Sequence, residues 1–579
     1  MISIPASASA AVRVYDAARA GVKPDRGVNV SAAMQRLFGR IRSEYRQGDT
    51  VVLRFAAGRY DFHEQGAALR QYHISNHDQT MPKCVGLALE GVDNIVFEGN
   101  GARFVFHGRM LPLALTGAAN CRLKDFEIDF DKPHIAQVRI VESDTLGGTT
   151  FVPEPWVDWH ISADSLFCHS GEGWTLQPVC GMAFDAQTHR IVYRTGDVAT
   201  PLRGVYLSDE GRITAPRWRN PRLKAGMVVA LRTYARPAPA IFLSEDSNTV
   251  IENVTVRYAE GMGLLAQNCR DIELDRFSVR LREGDGRYFT TQADATHFSG
   301  CSGRIYSHDG LYEAMMDDAI NVHGTYLKIT GRKDEHTVVG RYMHPQSWGF
   351  AWGAAGERVQ FIRSRTMDVV GAENRIENIV PLDAPTDEGA REFEIRFRDA
   401  VPEGVGCTEG VNFGVENLTR TPEVEFVRNV IRNNRARGAL FSTPRRTVVA
   451  DNLFDHTSGS AILLCGDCNG WYESGACRDV TITRNRFVNA LTSMYQFTEA
   501  VISVYPEIPD LAGQRQWFHS GIVIEKNTFC TFPVPLLYAK SVDGIIFRDN
   551  ETVLNDDFEP YHKNTERILL MRATGVRAE

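Results

Sequence analysis

The sequence predicts an all-β chain, a right-handed parallel β-helix carrying two inserted β subdomains. Short β-branched runs recur beside Asn residues, among them Asn94–Asn100, Asn248–Asn253, Val424–Asn429, Val480–Asn485, Ile522–Asn527 and Ile545–Asn550. Their spacing is regular: Asn452 follows Asn429 by 23 residues, and Asn550 follows Asn527 by 23. A unit of about two dozen residues cannot bury its own apolar face, whereas stacked units can. The length of 579 residues, too great for one ordinary compact core, agrees with a solenoid. Stacked strands pair in parallel about 4.8 Å apart, and Asn side chains ladder at the bends. The Leu-x-x-Leu-x-Leu signature of leucine-rich repeats is absent, and a propeller needs antiparallel blades of about 40 residues.

Five segments follow. Residues 1–131 hold an N-terminal cap and the first helix turns. Val12–Asp16 reads as a strand, and Val30, Met34, Leu37 and Phe38 fall on one face of a helix that covers the open end of the solenoid. Residues 132–238 and 325–420 break the repeat with alternating strand patterns and turns, so they read as inserted β subdomains. Residues 239–324 carry the helix turns with the candidate catalytic aspartates, and residues 421–579 the C-terminal turns.

Composition narrows the partners. A formal net charge of −8 and a pI of about 6.1 argue against nucleic acid or an anionic membrane. No run of 18 apolar residues suggests a membrane span. The start lacks a basic n-region and a long apolar core, so it is not an intact signal peptide; Ala6–Ala10 reads as a signal remnant or a loose end. Cys84, Cys121, Cys269, Cys301 and Cys530 sit in apolar or strand-like contexts and read as packed thiols. Cys465, Cys468 and Cys477 lack a fourth ligand at short spacing, so no metal or other cofactor is expected.

The chemistry concentrates between Gly284 and Gly324. Asp294-Ala-Thr-His-Phe-Ser-Gly and Asp318-Ala-Ile-Asn-Val-His-Gly are offset by 24 residues, one solenoid turn. Thr296 and Phe298 then align with Ile320 and Val322 toward the core, while His297, Asn321, Ser299, His323 and Asp317 face outward. A bend is expected to turn Asp294 and Asp318 into the same groove, because unpaired buried carboxylates are costly. Crowded carboxylates raise at least one pKa, which supplies the acid and the base that glycoside hydrolysis needs. The same cluster also fits a Ca²⁺ site or a structural ladder. A second patch, Gly466–Gly475, packs Asp467, Asn469, Trp471 and Glu473 beside Tyr472. Such a set can cover the apolar face of a sugar and take its hydroxyls, or simply form a turn.

Glu313–Gly324 with its Met-Met-Asp-Asp core, Asp294 one turn earlier and the Gly-Asp-x-Asn-Gly-Trp-Tyr-Glu-Ser-Gly patch resemble glycoside hydrolase family 110 over nearly the whole chain. That resemblance implies an exo-acting, inverting α-1,3-galactosidase. It would act on terminal α-1,3-linked galactose, as in the blood-group B antigen or in linear α-1,3-galactosides. It also implies similarity in fold and site to the family 28 polygalacturonases, a homodimer, and a secreted or periplasmic location. By motif, Asp317 is the general acid and Asp294 and Asp318 share the activation of water. Substrate-binding roles are expected for His297, Asn321, His323, Asp467, Asn469, Trp471 and Glu473. Other classes compete: a Ca²⁺-dependent polysaccharide lyase, with Arg282, Arg287 or Arg304 as the basic group, or another polysaccharide hydrolase on a β-helix, and a non-enzymatic glycan-binding β-helix.

Overall fold

The computed structural model describes residues 10–406, 410–575 and 577–578, so most of Ala6–Ala10 lies outside the described residues. Its parallel strands stack in three faces. The face that carries the candidate aspartates runs through Leu111–Thr116, Ile241–Ser244, Leu264–Gln267, Thr296–Ser299, Ile320–Thr325, Ala439–Phe441, Ile462–Leu464 and Ile502–Val504, each paired in parallel with the next. Alternation explains the core: Thr296, Phe298, Ile320 and Val322 are buried inside the coil while the residues between them face the other way. Thr296 pairs with Ile320, His297 with Asn321, Phe298 with Val322 and Ser299 with His323, the register that the 24-residue offset predicts.

Asparagine makes the bends. The backbone N–H of Asn429, Asn452, Asn485 and Asn527 each donates to the side-chain oxygen of the Asn one turn on, at 2.8–3.0 Å, ending at Asn550. A second ladder links Asn94, Asn120 and Asn248, all at positive φ, a conformation Asn tolerates well.

The helix Ser31–Glu44 lies against the strands Lys83–Glu90 and Gly58–His63 and buries Met34, Leu37, Phe38 and Ile41. Val30, its N-cap residue, is buried in the same core as these, and Ile41 continues the stripe. Two antiparallel units interrupt the helix. The first, within Ala136–Arg232, is a seven-stranded sheet with a separate three-stranded sheet; the second, within Leu327–Asn417, is a closed six-stranded barrel.

Neither interruption disturbs the coil. Across the first, Leu113 pairs with Ile241 and Ala119 with Ser247, both an offset of 128. Across the second, Arg304 pairs with Glu423, Leu311 with Val430 and Ile320 with Ala439, all an offset of 119. Each insertion therefore behaves as a loop on a solenoid that resumes in register.

Candidate active site

Asp294 and Asp318 stand two residues before the strands that begin at Thr296 and Ile320, in the bends where the chain enters this face. Asp317 is the preceding residue in the second bend. Asp294, Asp317 and Asp318 each bring a carboxylate oxygen within 4.8 Å of the other two. All three line a cavity of about 310 Å³.

The rung does not end with the acids. Arg437 stands two residues before Ala439, as Asp318 stands two before Ile320, so the same position of the next turn holds a guanidinium. Its backbone N–H donates to Asp318 Oδ1 at 2.8 Å, and its Nη2 lies 2.9 Å from Asp318 Oδ2. Arg236, where the chain returns from the first insertion, donates to Asp317 Oδ2 at 2.9 Å. Arg435 donates to Asp317 Oδ1 at 3.1 Å and is gripped from behind by Asp197 through two 2.7 Å bonds.

These contacts set the proton distribution. Burial, reinforced by the charge of Asp317, pushes Asp294 up to about 7. Burial pushes Asp318 well above the carboxylate range, against the pull of Arg437. Burial works on Asp317 too, but Arg435, Arg236 and Arg437 outweigh it and hold that carboxyl below its usual range. The negative charge of the three therefore rests on Asp317, where Arg236 and Arg435 reach it, and Asp197 takes up part of the charge of Arg435.

The walls come from separate elements. Asn76 belongs to the N-terminal turns, Tyr234 and Arg236 close the first insertion, Gln346 reaches in from the second, and Trp471, Tyr495 and Phe497 come from later excursions. His297 and Asn321 both line the cavity, and Asn321 Oδ1 has no hydrogen-bond partner among the described residues. His323 lies behind this wall, 2.8 Å from His297 between their Nε2 atoms. Glu473 lines the cavity and accepts from Asn76 at 2.9 Å; burial raises its carboxyl, but His323, His297 and Arg437 hold it below its usual range.

The Gly466–Gly475 patch divides. Asp467 touches the cavity, but its carboxylate is engaged by the backbone N–H groups of Asn469, Gly470 and Trp471 at 2.6–3.2 Å, which fixes the turn. Trp471 faces the cavity, its indole stacked on His344 with ring centroids 4.5 Å apart. Asn469 does not line the cavity: its amide donates to the Ser364 carbonyl at 2.9 Å, because the turn set by Asp467 points it at the second insertion.

Cys465, Cys468 and Cys477 belong to three separate apolar clusters. The basic residues that a lyase would use lie away from the aspartates. Arg282 and Arg287 pair with Glu127, Asp129 and Asp285 around a different cavity, and Arg304 pairs with Glu425 on the surface. None can serve as a lyase base beside these aspartates.

The residues missed in the sequence are three arginines and one aspartate. Arg435 and Arg437 could have been found by carrying the register across the 119-residue offset. Arg236 and Asp197 leave no comparable signal, because only tertiary folding brings them to the site.

Fold and site together define a glycoside hydrolase built on a parallel β-helix. Two family models match: GLAA-B beta-barrel domain I over residues 136–229 and GLAA-B beta-barrel domain II over residues 337–408. Strand pairing closes only the second of these into a complete barrel. The chain is 58% identical to an alpha-1,3-galactosidase B of Phocaeicola vulgatus, covering 98% of this chain and 96% of that protein. It is 57% identical to an alpha-1,3-galactosidase B of Bacteroides fragilis, again covering 98% and 96%. An alpha-1,3-galactosidase B of Akkermansia muciniphila is 38% identical, covering 93% of this chain and 65% of that protein. The chain belongs to this family, glycoside hydrolase family 110, the α-1,3-galactosidases. Among solved structures, a family 28 exopolygalacturonase of Yersinia enterocolitica aligns over 98% of this chain and 78% of its own, with 9% identity and a TM-score of 0.38. The β-helix assignment stands on the strand register rather than on that likeness.

Proposed function

We propose that the protein is an exo-acting, inverting α-galactosidase that hydrolyses terminal α-1,3-linked galactose from glycans such as the blood-group B antigen or linear α-1,3-galactosides. The observation that carries this is the convergence of Asp294, Asp317 and Asp318 in one small walled cavity with Trp471 at its side. A cavity of about 310 Å³ takes a single terminal ring. Asn321, Glu473 and Gln346 offer hydrogen bonds to its hydroxyls, and Trp471 an apolar face.

Asp317 is the proton donor in this reading. Its side chain is the most open of the three, 10% exposed against 5% for Asp294 and 1% for Asp318, so it is the one that reaches the glycosidic oxygen. It is ionised at rest, so binding has to deliver a proton to it. Asp318 holds a proton within 4.8 Å, and passing it to Asp317 leaves Asp318 ionised, where it shares the activation of water with Asp294. One internal transfer thus arms both ends of the reaction. The nearest-oxygen separations lie below the roughly 6.5–9.5 Å between opposed carboxyl groups in most inverting enzymes. Inversion here rests instead on two carboxylates of adjacent turns gripping one water.

The right-handed winding, the hand of about 98% of parallel crossovers, belongs to the same proposal. So does the homodimer implied by the resemblance, which sedimentation would read. Nuclear magnetic resonance of the first minutes of hydrolysis tests the mechanism: β-galactose appears first if the water-activating roles hold, and α-galactose overturns them. Asp317→Asn should lose about 10²–10⁴-fold of turnover on a sugar leaving group and far less on an activated aryl galactoside. Equal losses on both would remove the acid role.

A further inference from the structure

Asp294, His297 and His323 form a row in which each contact fixes a proton. His323 Nδ1 lies 2.5 Å from the Gly324 carbonyl, which can only accept, so that nitrogen carries a hydrogen. The two Nε2 atoms of His297 and His323 are 2.8 Å apart, so one donates and the other accepts. His297 Nδ1 lies 2.7 Å from Asp294 Oδ2.

Three arrangements, with the same number of protons, satisfy all of these contacts. In the first, neutral Asp294 donates to His297 Nδ1, and His297 Nε2–H donates to His323. In the second, Asp294 is ionised and His297 is an imidazolium. In the third, Asp294 is ionised, His297 keeps its hydrogen on Nδ1, and His323 is doubly protonated with Nε2 at 3.5 Å from Glu473 Oε1. Removing one proton from the row sets two lone pairs face to face at 2.7 or 2.8 Å, which is repulsive. Asp294 therefore ionises most easily by an internal transfer that breaks no hydrogen bond.

We infer that Asp294 becomes a base by passing its proton through His297 to His323, with Glu473 holding the resulting charge. This rests on the reading of Asp294 as a water-activating base. The Oδ2–H bond breaks as the His297 Nδ1–H bond forms, and the Nε2 hydrogen of His297 moves to His323. Water then loses a proton to Asp294 as its oxygen bonds the anomeric carbon, and the glycosidic oxygen leaves with its electron pair and the proton of Asp317. After the product departs the surplus proton leaves His323 for the carboxylate cluster, which restores neutral Asp318 and ionised Asp317. His297 and His323 are thus positioning residues that act through Asp294.

The charges around the row fit this use. Burial, His323 and Arg236 oppose a proton on His297, whereas Glu473 and Asp317 favour it. At rest the first arrangement prevails, because burial holds His297 well below the usual imidazole range. Both imidazoles are 1% exposed, so the row exchanges protons along itself rather than with solvent.

His323→Gln tests the relay conservatively. Its amide can donate to the Gly324 carbonyl and its oxygen can accept from His297, so the first arrangement survives, but it cannot hold an arriving proton. Turnover should fall about 100-fold with little change in KM. The acid limb of kcat/KM should rise toward 7, since Asp294 must now ionise to solvent. His297→Gln should behave alike, and thermal melts of both should match the parent. Unchanged turnover and acid limb in both variants, with Asp294→Asn inactive, would overturn the relay and leave the base role standing. An active Asp294→Asn would instead remove the base role itself.

Discussion

Replacing Asp294 by Asn should make the protein more stable, and only above a certain pH. The carboxyl is buried, with a folded value of about 7 against an ordinary 3.8. The sign follows from which state binds the proton. Between 3.8 and 7 the unfolded chain ionises Asp294 while the folded chain keeps it neutral, so rising pH favours unfolding across that window. At about 1.36 kcal/mol per unit, the 3.2-unit gap costs the native state about 4 kcal/mol by pH 7. Asn imitates the neutral acid: its amide can donate to His297 Nδ1, and its oxygen can accept from the Asp318 backbone N–H, which lies 3.3 Å from Asp294 Oδ1. The variant should therefore match the parent near pH 4 and gain up to about 4 kcal/mol at pH 7–8. For 579 residues, with unfolding entropy near 2.1 cal/mol/K per residue, that is a rise in Tm of about 3–4 °C. Calorimetry of both proteins from pH 4 to pH 8 reads the difference directly. A Tm difference independent of pH, or a variant less stable at pH 8, would refute the neutral, buried Asp294 described here.

Three further outcomes are expected. Trp471→Ala should raise KM about tenfold or more while kcat falls less, since the indole offers packing rather than a proton; steady-state kinetics on a galactoside separates the two. Asn485→Ala should destabilise the fold by about 2–4 kcal/mol without altering kinetics, because a buried side chain with bonds to Val449, Thr483, Asn452 and Asn527 is lost far from the pocket; denaturant unfolding measures it. Prolonged EDTA treatment should leave activity intact, since Arg236, Arg435 and Arg437 already hold the carboxyl groups of Asp317 and Asp318; a loss restored by Ca²⁺ would count against that arrangement.

What the sequence shows best is whatever repeats. The pairing of Thr296 with Ile320 follows from a 24-residue offset, because parallel strands of one face carry their side-chain alternation unchanged from turn to turn. The Asn ladders are legible for the same reason. Arg437 escapes because a whole barrel separates it from Asp318, although it occupies the next rung. Asp197 and Arg236 escape because they come from outside the repeat, and no periodicity relates them to Asp317. The Gly466–Gly475 turn shows the opposite fault. Its polar density is real, yet Asp467 spends both oxygens on the backbone and Asn469 faces away, and a list of residue types cannot tell a capped turn from a sugar platform. Protonation is the least legible feature, since it depends on which carboxyl three distant guanidinium groups reach.

The resumption of the coil at a 119-residue offset also orders events in time. A ribosome delivers Asp317 and Asp318 well before Arg435 and Arg437, with the entire closed barrel between them. Until that barrel has emerged and the next coil docks, the acid pair lacks two of its three counter-charges and cannot be enclosed in ionised form without large cost. A nascent chain paused inside the barrel would therefore leave that edge of the solenoid hydrated and unsealed. The rung begun by Asp294 is completed late in synthesis, when Arg437, just before the returning strand Ala439–Phe441, comes to lie against Asp318.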